Sequence, residues 1–182
     1  LAGADGARVA AAVILLAPGL PLLWMGEEHG EEAPFPYFID HGDAELVAAV
    51  RRGRAEEFPA HASAGTLMDP ADPATRAAAV LQHDRRETPA GCRMLAWYRD
   101  LLALRRALPA ADAATLAADC PQPGVLCCSR PGVIITANFG TTTVTVPLPG
   151  PLLLRSDDAV RAADGMLLLP PRSCAVCREA GT

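Results

Sequence analysis

At 182 residues, 51% hydrophobic and 20% charged, the chain has the apolar content of a folded domain, and intrinsic disorder is excluded on composition. The formal net charge of −5 argues against a nucleic-acid binder, which needs a basic patch to meet the phosphate backbone. All sixteen basic residues are arginine, and the chain opens on Leu1, so a piece of a longer polypeptide is expected.

The uncharged run 9–26 approaches the length of a membrane span, but Pro18, Gly19 and Pro21 interrupt it. It also lacks the basic start and small-residue cleavage site of a signal peptide. No membrane role is expected. The run reads instead as a buried helix over 8–16, a turn at Ala17-Pro18-Gly19, and a short buried strand over 21–25. An acidic, aromatic loop follows over 26–41. Asp43 then predicts an N-cap, with Glu45 in the favourable first turn, and Leu46, Val47 and Val50 keep helical period until Gly53 and Pro59. Asp72-Pro73 predicts a second cap with proline at the first helical position, opening an alanine-rich helix to about residue 81.

The strongest helix spans about 92–108. Met94, Leu95, Trp97, Tyr98, Leu101, Leu102, Leu104 and Leu108 cover one broad face. Arg105 falls inside that face, so its guanidinium should meet a carboxylate or backbone carbonyls, or else snorkel to water. From Pro121 onward the pattern changes to short strands, at 125–130, 133–139, 142–147, 152–156, 166–169 and 173–177. Pro131-Gly132, Gly140, Pro149-Gly150, Asp164-Gly165 and Pro170-Pro171 separate them, and links this short suit antiparallel hairpins. The six cysteines are too few and too irregular for a disulfide framework, and Cys174-Ala-Val-Cys177 is a lone C-x-x-C. Small core hydrophobes in a reducing, cytoplasmic setting are the expectation.

The run Gly19-Leu-Pro21, Leu22-Leu-Trp-Met25, Gly26-Glu-Glu28 resembles the end of the catalytic barrel in the α-amylase family of glycoside hydrolases. Residues 33–41 and 45–58 resemble, more narrowly, the malto-oligosyltrehalose trehalohydrolase group of that family. Residues 69–75, 97–106, Ala137-Asn138-Phe139 and 169–173 continue the likeness. The resemblance implies α/β plus β architecture: the last strand and helices of a (β/α)8 barrel over 1–110, then a small antiparallel β-sandwich-like domain over 120–182. It implies a parent that releases trehalose by hydrolysing the α-1,4 bond next to a terminal trehalosyl unit, with carboxylates and without a cofactor. That family's nucleophile and acid lie on earlier strands, and no motif here matches them, so this segment alone is expected to be inactive. It is also expected to be only marginally stable without the rest of the barrel. Other amylase-family activities (branching or debranching) and a non-catalytic carbohydrate-binding or interaction module are the alternatives.

The site candidates lie on the loop after the barrel strand, where barrel active sites form. Glu27 and Glu28 are adjacent, so they are poorly placed to act as a facing catalytic pair, yet either could line a sugar site. Phe35, Tyr37 and Phe38 could stack on sugar rings, and Asp40 and His41 could bond hydroxyls. The bland readings are a solvated acidic loop, a self-packed aromatic loop and helix capping. His29, His41, His61 and His83 lack metal-ligand spacing. A malto-oligosaccharide-type substrate is the expected partner of the full-length parent, with no nucleic acid, membrane, metal or cofactor.

Overall fold

The computed structural model describes residues 3–179, which form two compact units. One runs to Gly30 and resumes at Arg85; the other is Glu31–Asp84. The change from helix to strand read near 110–120 therefore falls inside the first unit.

In that unit, α1 (Gly3–Leu16) starts five residues earlier than its apolar run, because Asp5 sits in the first turn and pairs with Arg8 at 2.7 Å. Helix α5 (Pro89–Ala107) begins where the Thr88 hydroxyl accepts the Gly91 N–H, with Pro89 at the first position. Eight strands follow: β1 (Ala117–Gln122), β2 (Val125–Arg130), β3 (Val133–Asn138), β4 (Val144–Pro147), β5 (Leu152–Arg155), β6 (Arg161–Ala163), β7 (Met166–Leu169) and β8 (Ser173–Arg178). They make two antiparallel sheets, ordered β1-β2-β3-β8-β5 and β4-β7-β6. Strands β1 and β6 carry no sequence signal for a strand. Both are edge strands with mostly exposed side chains, and β1 has Pro121 beside a register shift, an arrangement tolerated at an edge.

The larger sheet is apolar on both faces, which is why β3 and β8 read as continuous hydrophobic runs. Outside, Val133, Ile135, Cys174 and Val176 pack under Val9, Leu15, Leu16, Trp97 and Leu101 of the helices. Inside, Val125, Ala175 and Cys177 meet Val146, Leu167 and Leu169 of the smaller sheet. Trp97 Nε1 donates to the Arg8 carbonyl at 2.9 Å, and Arg8 Nε donates to the Ser156 carbonyl at 2.8 Å, tying α5, α1 and the sheet together. Burial of Cys128, Cys174 and Cys177 matches their expected role as small core residues; Cys92 and Cys120 are exposed instead. Arg105 reaches the carbonyls of Leu15, Ala17 and Gly19, one of the outcomes its position predicted.

The buried strand expected over 21–25 is not formed. No sheet among the described residues contains it, and Leu20, Leu22, Trp24 and Met25 are exposed, Leu22 at 84%. A parallel barrel strand is held by ladders on both edges, and without them an apolar sequence has no reason to pair or bury.

In the second unit, Asp43 caps α2 (Ala44–Glu57) by accepting from Glu45 N and Leu46 N. That helix runs through Gly53, contrary to the expected decay there, and meets α3 (Pro59–Ser63) at Phe58. Asp72 caps α4 (Pro73–Ala78), which stops short of the predicted residue 81. Asp69 accepts two Arg51 donors at 2.8 Å, a forked pair that lowers the Asp69 pKa and raises that of Arg51.

Candidate functional site

Glu27 and Glu28 lie on a single 3-10 turn, Glu27–His29, bounded by Gly26 at φ 90° and Gly30 at φ 70°. Both glycines occupy the left-handed region, which a side chain would strain, so the chain reverses sharply and presents the acidic residues. The two carboxylates have different partners. The Tyr98 hydroxyl donates to Glu27 Oε1 at 3.1 Å from α5, and Glu28 Oε1 lies 3.2 Å from Nδ1 of the buried His29. Burial pushes the Tyr98 hydroxyl well above the usual tyrosine pKa, and the neighbouring Glu27 and Glu28 charges push it the same way. Tyr98 therefore stays a donor, and the Glu27 oxygens it leaves free can accept from a hydroxyl ligand.

The other predicted residues belong to the second unit. Phe35, Tyr37 and Phe38 are all exposed, and so are Asp40 and His41. Phe35 and Tyr37 line a cavity of about 390 Å3 with Pro34, Arg54, Phe58 and His61, in the size range of small-molecule sites. The Arg54 guanidinium lies 5.1 Å from the Tyr37 ring centre and 4.4 Å from that of Phe58, and its Nη1 bonds Glu57 at 2.8 Å. Stacking and pairing together fix the guanidinium at the cavity wall. His61 Nδ1 is 3.1 Å from Thr66 Oγ1. Phe38, Asp40 and His41 do not line the cavity. The cap of α2 comes from Asp43, so Asp40 and His41 are not needed for it. Glu31 is structural: one carboxylate oxygen accepts from Glu32 N and Ala33 N, and the other from Gln82 N.

Sequence reading overlooked Tyr98, His29, Arg54, Phe58 and His61. Tyr98 sits 71 residues from Glu27, and nothing local marks that pair. The spacing of Arg54 and Phe58, four apart, was the one signal available for the stack. Among the described residues no group of three or more His, Cys, Asp or Glu is placed to hold a metal ion, and no helix is long and apolar enough to cross a membrane.

A family model described as a domain of unknown function, DUF3459, matches residues 110–176. The malto-oligosyltrehalose trehalohydrolase of Arthrobacter ramosus is 36% identical over 179 residues, covering 97% of this chain and 31% of that protein. The enzyme of the same name from Rhizobium sp. (strain M-11) is 37% identical over 181 residues, with 94% and 30% covered. Among solved structures, a candidate α-amylase from Salmonella typhimurium superposes with TM-score 0.79 at 34% identity, over 98% of this chain and 31% of that one. The α-amylase from H. orenii shares the fold, with TM-score 0.60 at 18% identity, over 97% and 36%. The chain thus spans about a third of the length of its relatives. Its helices and antiparallel β domain follow the α-amylase fold, and along nearly all of its length the chain matches the C-terminal region of malto-oligosyltrehalose trehalohydrolases.

Proposed function

We propose that this chain is the C-terminal part of a glycoside hydrolase that releases trehalose by cleaving the α-1,4 bond next to a terminal trehalosyl unit. The observation that carries the reading is the match to enzymes of that name along 97% of the chain, including the loop that bears the site candidates. The acidic turn supports a binding role. Glu27, held as an acceptor by Tyr98, is suited to a sugar hydroxyl, and Phe35 and Tyr37 offer ring faces to a pyranose. Glycosidic cleavage requires two carboxylates facing one bond, about 5–5.5 Å apart for retention and about 6.5–9.5 Å for inversion. Glu27 and Glu28 are adjacent and bonded to different side chains, and on this reading the catalytic carboxylates come from a part of the protein outside this chain. Six cysteines without disulfides suit a reducing cytoplasm.

Incubating the purified chain with malto-oligosyltrehalose should give no free trehalose, while a polypeptide extended by the reading frame upstream of Leu1 should release it. Release by the chain alone that disappears in Glu27→Gln/Glu28→Gln would make the acidic turn catalytic and overturn the reading. A second reading, a glucan-binding module without turnover, is favoured by the aromatic cavity of the second unit. It would stand if the extended polypeptide also lacked activity while the chain still bound maltoheptaose.

A further inference from the structure

Helix α1 ends without a basic residue in its last turn, so its final carbonyls must find donors elsewhere. Two distant arginines supply them. Arg105 of α5 donates to the carbonyls of Leu15, Ala17 and Gly19, and Arg130 of β2 donates to those of Leu16 and Pro109. Both guanidiniums line one cavity of about 340 Å3. Among the described residues no carboxylate lines it, and the remaining walls are backbone and apolar side chains, among them Pro18, Leu20 and Ala110. Arg130 is only 5% exposed, and its Nε has no acceptor among the described residues. Carbonyl dipoles satisfy some of the donors but neutralise neither charge. Burial, and then the proximity of Arg105, lower the Arg130 pKa, the direction expected for two cations facing each other without a counter-ion.

We propose that the cavity between Arg105 and Arg130 binds the phosphate group of a small phosphate monoester. A carboxylate has two oxygens in one plane and is satisfied by a single guanidinium fork, whereas a phosphate presents oxygens in several directions and can bridge two forks. The apolar walls leave room beyond the anion for an organic group. The site uses none of the residues assigned to sugar binding.

The test uses the whole chain and two probes, inorganic phosphate and glucose 1-phosphate, at an ionic strength held constant with chloride. Amide resonances of Gly19, Leu20, Ala110 and Ala111 should shift with both probes, and glucose 1-phosphate should bind several-fold more tightly. Arg130→Lys, which keeps the charge but loses the fork, should weaken binding by about tenfold or more. Wild-type protein titrated with acetate provides the comparison that needs no variant. Equal shifts with acetate, equal affinity for the two phosphates, or shifts scattered over other arginines would each overturn the proposal, as would no shift at all.

Discussion

At the scale of residues, single polar side chains fix backbone that has no regular partner. Asn138 is fully buried between the two sheets. Its Nδ2 donates to the carbonyls of Thr142, Leu169 and Pro170, and its Oδ1 accepts from Gly140 N. Asn138→Leu keeps the branching of the side chain but is larger and orphans those groups, so unfolding in urea should show a loss of about 3 kcal/mol. Tyr98→Phe removes one hydrogen bond and should cost about 1 kcal/mol at neutral pH. Its signature lies at high pH. The folded-state pKa of Tyr98 is raised, so its stabilisation is complete below the unfolded tyrosine value and is lost as pH rises through and above about 10. Urea melts at pH 8 and pH 11 should show a steeper alkaline loss in the wild type than in Tyr98→Phe. Equal losses would show that Glu27 and burial do not hold that proton.

At the scale of elements, the caps at Asp43 and Asp72-Pro73 are legible because a cap bonds backbone two or three residues away. The start of α5 is a harder case. Gly91 lies in its first turn, and a Cβ there would sit 2.0 Å from the Arg85 carbonyl oxygen, which is rigid backbone. Exchanging glycine for alanine inside a helix ordinarily gains up to about 1 kcal/mol. Here the clash should outweigh that gain, and Gly91→Ala should lower stability by about 1–3 kcal/mol, visible as a reduced Tm. The six strands marked by Pro and Gly punctuation formed within one or two residues of expectation, whereas β1 and β6 depend on edge pairing that their own residues do not announce.

At the scale of the whole molecule, the apolar segment 20–25 is the exposed surface that needs a partner. Leu20 and Leu22 are exposed at 100% and 84%, in no sheet among the described residues. Contiguous apolar exposure of that kind drives association. Light scattering should find the isolated chain self-associating with concentration, and Leu20→Ser/Leu22→Ser should reduce it. A strictly monomeric wild type at high concentration would contradict this. Thermal unfolding of the chain should also be broad, with the Glu31–Asp84 unit melting separately, since its helix α2 buries no residue fully.

The sequence by itself determined what depends on near neighbours: helix periods, caps, hairpin punctuation and the family likeness carried by the loop after residue 25. Periodicity and capping act over a turn or two of chain, so they survive whatever packs around them. Tertiary structure decided the rest. It chose Tyr98 as the partner of Glu27 and placed Arg105 and Arg130 at the end of α1, 88 and 114 residues from the carbonyls of Ala17 and Leu16. It also left 21–25 out of any sheet. Such pairings are selected by which faces can be buried together, and a barrel strand acquires its structure only from the strands beside it.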